Sequence, residues 1–298
     1  MTARRSSALE ELLAELVDYA GLFPPAALSM EDAVRNYAAY RASAHRAMLG
    51  RFVVPAAQLE EFVEAASGVP NGEGPWPLSV LAGAQDGDAL ATFMAAHGDR
   101  WRVDTVEAKA ATSGDVAALT LALALRYVVY VEIPAGGDPS KLIEAIGSGG
   151  MRAKIRTGGI TRDAFPAPIE VLQFMATCVS RRVPFKATAG LHHPVRGDYP
   201  LTYAPESEQG TMYGFLNVFL AAVLLHGNAT AVELIPLLEE RDATAIEVTP
   251  EAIRWRGFTA DREAIIVARR DLAGSFGSCS FDEPVRDLAA LDILPSFR

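Results

Sequence analysis

The chain has 298 residues, half of them hydrophobic, which is long for one small core and short for two full domains. Its formal net charge is −10, and no basic run exceeds two residues (Arg4-Arg5, Arg181-Arg182, Arg269-Arg270). Nucleic-acid binding needs a basic patch to neutralise phosphates, so that function class is excluded.

The first two elements read as helices. Ser7-x-x-Glu10 is a capping-box pattern, followed by Leu9, Leu12, Leu13, Leu16 and Val17 at helical spacing. D-Y-A-G-L-F-P-P-A (18–26) breaks that helix at Pro24 and Pro25. Ser29-x-x-Asp32 opens a second helix to about residue 43. Residues 1–45 are therefore expected to form an N-terminal helical extension packed on the rest.

A regular alternation follows. Short apolar runs predict strands near 48–54, 78–83, 102–108, 127–133, 152–157 and 184–189. Helical patterns near 56–66, 86–97, 114–125, 139–147 and 167–182 separate them. Two helices near 210–226 and 230–241 come next, then a hairpin at 245–257, a helix near 260–272, a strand at 275–280 and a last helix capped by Asp282. Eight strand candidates with crossover helices predict a single α/β domain over 1–298, a (β/α)8 barrel in which the hairpin holds the place of strand seven. An open doubly wound sheet is the alternative, but no G-x-G-x-x-G follows the first strand to make it a dinucleotide binder.

The most apolar run, Met212–His226, is short of the roughly 20 residues a membrane span needs and carries Asn217. It is expected to be core, or else a contact between copies in a homo-oligomer. No apolar leader stands at the N-terminus, and Cys178 and Cys279 form neither a disulfide framework nor a zinc spacing. A cytoplasmic protein with no membrane partner is the expectation.

Strand parity places charge inside the barrel. Successive side chains alternate faces. The apolar faces need helices against them, so Glu107, Glu132, Lys154, Arg156, Lys186 and Thr188 would point inward near the C-terminal strand ends. Buried charges cost several kcal/mol each unless paired, and the C-terminal face is where barrels build active sites. A structural salt-bridge network is the alternative use.

Only four of the 27 basic side chains are lysines, and three of them, Lys109, Lys154 and Lys186, fall at or near predicted strand ends. Arginine cannot lose its proton, whereas a desolvated lysine beside other cations can, and its free amine attacks carbonyls. With Lys154 and Arg156 on the neighbouring strand, Lys186 is expected to have a depressed pKa. The segment K-A-T-A-G (186–190) resembles the K-x-S/T-x-G stretch of deoxyribose-phosphate aldolases. In those enzymes it carries a Schiff-base lysine on barrel strand six. The resemblance implies that Lys186 is the nucleophile and that Thr188 and Gly190 match the motif. Those aldolases also carry a lysine on strand seven; none follows position 186 here, and Lys154 is the substitute available. Through D-Y-A-G-L-F-P-P-A, F-K-A-T-A-G-L-H-H-P and S-F-G-S-C-S-F-D-E-P the chain also resembles a bacterial family without an assigned activity.

The catalytic candidates are thus Lys186, with Lys154 lowering its pKa and Glu132 or Glu107 as general acid and base. Arg156, Thr157, Gly158 and Gly159, leaving the fifth predicted strand, would hold the phosphate or carboxylate of a small anionic carbonyl compound. Thr188, His192 and His193 complete the substrate-binding set. Cys279, with His192 or His193 as base, is a lesser candidate nucleophile. No cofactor is required in this reading. In its alternative, a divalent metal is held by Glu107, Glu132, His192 and His193, with Lys154 or Lys186 as base. A third reading is an anion-binding protein without catalysis. The 191–210 loop, with Arg196, Tyr199 and Tyr203, is a candidate lid, and D-Y-A-G-L-F-P-P-A a second cover.

Overall fold

The computed structural model describes residues 6–70 and 72–295; Arg4 and Arg5 lie outside them. Thirteen strands are found among these residues. Eight of them close into a parallel barrel: β1 (Val17–Tyr19), β2 (Leu49–Pro55), β3 (Trp76–Leu81), β4 (Trp101–Lys109), β5 (Val128–Glu132), β6 (Arg152–Arg156), β7 (Phe185–Thr188) and β13 (Ala273–Ser278). They run β1-β13-β7-β6-β5-β4-β3-β2 around the barrel, with β1 sealing it between β13 and β2. Strands β8 (Gly197–Pro200) and β9 (Gln209–Met212) pair as a separate hairpin. Strands β10 (Ile246–Val248), β11 (Ala252–Trp255) and β12 (Phe258–Asp261) form a small antiparallel sheet. The expected (β/α)8 barrel is therefore present.

Two elements differ from the sequence reading. The 245–257 hairpin forms as expected and gains β12, but it stands apart from the barrel sheet. The eighth strand is instead V-D-Y at 17–19, inside the stretch read as helix end and breaker. The expected helical extension of residues 1–45 is therefore interrupted by a barrel strand: the helix Ala8–Leu13 precedes β1 and the helix Met30–Arg41, capped by Ser29 as expected, follows it. Three residues with an aspartate in the middle carry too little apolar alternation to be seen as a strand. The former sixth strand is, counting β1, the seventh of the barrel in chain order. The lysine-bearing segment thus does not occupy the strand position that the aldolase resemblance implied.

The helices form where their end signals stand. Ser7 and Glu10 cap Ala8–Leu13, Thr112 and Asp115 cap Ser113–Leu119, and Thr230 and Glu233 cap Ala231–Leu238. The helix Phe215–His226 begins later than expected because Gln209–Met212 pairs with β8. Its residues Phe215–Leu225 are all buried, and it packs on the helices Pro168–Arg181, Ala231–Leu238 and Arg262–Asp271. Neighbours on every side account for its all-round apolar character. Its burial within one chain assigns it to the core rather than to a contact between copies. No helix among the described residues is long and apolar enough to cross a membrane.

Candidate functional site inside and above the barrel

The inward faces carry a ladder of alternating charge. Lys186 Nζ on β7 donates to Asp18 Oδ2 at 2.6 Å and to Glu107 Oε1 at 2.5 Å. Lys154 Nζ on β6 lies 2.6 Å from Glu107 Oε2 and 2.8 Å from Glu132 Oε2. Below Asp18, Arg51 on β2 gives its backbone N–H to Asp18 Oδ1 at 2.8 Å, and its guanidinium stands 3.6 Å from the same oxygen. Above Glu132, Arg156 Nε approaches Oε1 at 3.4 Å and Lys109 Nζ at 4.0 Å. Positive and negative groups thus alternate from Arg51 through Asp18, Lys186, Glu107, Lys154 and Glu132 to Arg156.

Each rung is placed by register. Glu132 stands beside Lys154, and Lys154 beside Lys186, on adjacent parallel strands. A shift in pairing between β1 and β2 puts Gly50 and Arg51 opposite Asp18. A Cβ on Gly50 would strike the Asp18 carboxylate and come within 3.2 Å of Glu15 O. Only glycine leaves that room. Hydroxyls fill the remaining lone pairs: Ser275 donates to Asp18 Oδ2 and Ser79 to Glu107 Oε1, each at 2.6 Å. Buried charge is tolerated here because nearly every rung has an opposite charge and a hydrogen bond.

Electrostatics follow from this pairing. Burial alone would lower the Lys186 pKa, but Asp18 and Glu107 outweigh it and hold the ammonium well above the usual lysine range. Burial alone would raise Asp18 and Glu107; Lys186 with Arg51, and Lys154 with Lys186, hold them below the carboxylate range. The expected depression of the Lys186 pKa is therefore corrected. The neighbouring cations are there, but three carboxylates stand among them. The sequence reading missed Arg51 and, among the carboxylates of the ladder, its partner Asp18. Its only signal was an aspartate between Val17 and Tyr19, both apolar and buried.

The upper end opens to solvent. Lys109, Glu132 and Arg156 line a cleft of about 360 Å³ above β4, β5 and β6. The Lys109 and Arg156 side chains are 75% and 45% exposed, while that of Glu132 is 10% exposed. Glu132 is held below the usual range by Lys154 and then Arg156, against burial, which acts the other way. Its Oε2 is buried against Lys154 Nζ, while Oε1 is the oxygen that Arg156 and Lys109 approach.

The other candidates lie elsewhere. Thr157 is buried and its hydroxyl donates to Ala189 O at 2.7 Å, so it ties β6 to the turn after β7. Gly158 and Gly190 come so close that a Cβ on either would stand 2.9 Å from the other's Cα; Gly190 also has φ +72°. The glycines of R-T-G-G and K-A-T-A-G at these two positions thus serve backbone packing. Thr188 ends β7 beside Gly277. His192 is buried, with Nδ1 3.1 Å from Glu283, 3.3 Å from Ser278 Oγ and 4.0 Å from Cys279 Sγ. Burial alone would lower its pKa; Cys279 and Glu283 lift it to about 9. His193 pairs with Asp287 at 2.6 Å and stacks on Tyr199.

The 191–210 segment folds in part as the β8–β9 hairpin, and its tip reaches this corner: Tyr203 donates to Glu283 at 3.0 Å. Pro24, Pro25, Gly159, Gly190, His192 and Tyr203 enclose a cavity of about 40 Å³. Both predicted covers therefore border the mouth. Glu107 and Glu132 face lysines while His192 and His193 face Glu283 and Asp287, so the four do not form one donor set. Among the described residues no group of three or more His, Cys, Asp and Glu side chains is placed to hold a metal.

Fold and interior together define a (β/α)8 barrel with a charged core that surfaces at its C-terminal mouth. No protein-family model matches the chain, and no curated protein matches it in sequence.

Proposed function

We propose that the chain is a barrel enzyme moving a proton beside the carbonyl of a small anionic compound, as a lyase or isomerase. The observation that carries this is Glu132: a carboxylate whose Oε2 is held by Lys154 and whose Oε1 lies between two solvent-facing cations, Arg156 at 3.4 Å and Lys109 at 4.0 Å, on a cleft of about 360 Å³ at the C-terminal mouth. That size suits a small ligand, and that face is where barrels act.

In this reading Arg156 and Lys109 hold the phosphate or carboxylate, and Arg156, the nearer of the two to Glu132, also meets the charge that develops during reaction. Glu132 takes the proton: the C–H bond breaks, its electron pair moves toward the carbonyl oxygen, and the proton rests on Glu132 until it is returned or a neighbouring bond breaks. Lys154 beneath Glu132 keeps it ionised before the substrate arrives. Asp18, Lys186 and Glu107 fix Lys154 from below. Lys186 is then a positioning residue, since an ammonium clamped by two carboxylates has no lone pair for a Schiff base.

The test is proton exchange in D2O with a panel of small keto acids and phosphorylated aldehydes, followed by NMR. The expected result is deuterium entering beside the carbonyl of at least one compound, slowed by about 100-fold or more in Glu132→Gln. No exchange with any compound, or full exchange in the variant, overturns the reading. Borohydride reduction of the same mixtures separates it from Schiff-base chemistry: a trapped adduct mapping to Lys186 or Lys154 would transfer the catalytic role to that lysine.

A further inference from the structure

A cavity larger than those at the mouth lies at the opposite end of the barrel. A groove of about 1040 Å³ opens where β2, β3 and β4 begin, beside the C-terminal end of the helix Met30–Arg41. Four arginines line it, Arg41, Arg46, Arg51 and Arg102, in a chain whose net charge is −10. Three carboxylates, Glu15, Glu73 and Asp104, line it as well.

The pairing within the groove separates the arginines. Arg51 is taken by Asp104 at 2.6 Å and by Asp18, and belongs to the charge ladder. Arg102 reaches Asp104 only at 3.5 Å, with a side chain 54% exposed. Arg46 stands 4.0 Å from Glu73, and both side chains are mostly in solvent. Arg41 has no carboxylate among its hydrogen bonds: its Nη2 donates to the backbone O of Glu73, and its Nε is buried with no hydrogen-bond partner. A buried guanidinium N–H left unpaired costs free energy that an incoming acceptor would recover. Between the charged groups the wall is apolar, with Ala38, Ala42, Leu49 and Pro77.

We propose that this groove is a second binding site, for a phosphorylated small molecule with an apolar body. Guanidinium forks match phosphate oxygens in pairs, and three loosely held arginines supply donors that a single carboxylate would not use up. The apolar wall takes the remainder of the ligand. The volume accommodates a molecule of nucleoside diphosphate size. The site stands independently of the chemistry proposed at the mouth, since none of its loosely held arginines belongs to the ladder.

Isothermal titration of the full chain at low ionic strength, with ADP and with inorganic pyrophosphate as probes, tests it. The expected result is binding of ADP that Arg41→Gln and Arg102→Gln each weaken by about 10- to 100-fold, the loss of a charge-assisted hydrogen bond. Arg156→Gln at the mouth should leave that binding unchanged. Should Arg41→Gln fail to fold, Arg102→Gln, on an exposed side chain, carries the test alone. Absence of binding by either probe overturns the proposal. So does binding that Arg156→Gln removes and the groove variants do not.

Discussion

Lys186 and Arg156 stand on neighbouring strands and each faces a carboxylate, yet their side chains are 1% and 45% exposed. In the lower half of the ladder, Asp18, Lys186 and Glu107 are sealed from water and share hydroxyl donors from Ser275 and Ser79. In the upper half, Glu132 Oε1 meets Arg156 and Lys109 only at 3.4 and 4.0 Å, and those cations reach into a cleft. One pattern of alternating charge thus works in two dielectric settings. Where water is excluded, each charge depends on its partners and the group is rigid. Where water enters, the same charges are loosely held and free to meet a ligand.

Removing one charge from the sealed half is the most severe way to break this contrast. Lys186→Met leaves Asp18 and Glu107 buried and facing each other without their shared cation. The expected loss is about 3–5 kcal/mol of folding stability, the range for breaking a buried pair by deleting one partner. Urea denaturation measures it. A loss under about 1 kcal/mol would mean that water reaches the lower half after all and that the two halves do not differ.

The parts of this arrangement that were legible in the sequence are those on long strands. Alternation along residues 102–108, 127–133 and 152–157 turns Glu107, Glu132, Lys154 and Arg156 inward, and the structure has them there. Lys186 also joins them, but its expected chemistry was inverted. Parity shows which face a side chain takes, while its pKa depends on the whole set of neighbours. Asp18 was hidden because a three-residue strand gives no periodicity to read, and without Asp18 the cations seemed to outnumber the acids around Lys186. R-T-G-G and K-A-T-A-G suggested ligand turns, whereas Gly158 and Gly190 are needed for each other's backbone. That contact is between two segments about 30 residues apart, a spacing no local pattern carries.

His192 offers a finer probe of the boundary between sealed and open regions, because it is buried at the mouth beside Cys279 and Glu283. Its folded pKa is raised to about 9 from an ordinary 6.5. A raised histidine contributes stability fully below its unfolded pKa and loses that contribution as pH rises through the folded value. Stability should therefore fall between about pH 6.5 and 9, by an amount that His192→Asn removes. Urea midpoints taken across that range in both proteins check it. His193, held the other way by burial against the pull of Asp287, contributes with opposite sign and only below its ordinary value. It therefore leaves this window to His192. A flat profile in the wild-type chain would place His192 in contact with water and extend the open region down to Cys279.

The mildest change falls on the open half. Lys109 lies 4.0 Å from Glu132 with three quarters of its side chain in solvent, so Lys109→Gln should shift folding stability by no more than about 0.5 kcal/mol. Its effect belongs to the ligand instead. If Lys109 helps to gather an anion over Glu132, the variant should raise KM several-fold at low salt with kcat nearly unchanged, and the difference should shrink near 1 M salt, where the screening length is about 3 Å. Measuring both constants at two salt concentrations separates the two roles. A stability loss approaching that of Lys186→Met would make the upper cations structural as well, and the cleft would then lose its claim to be the working end of the ladder.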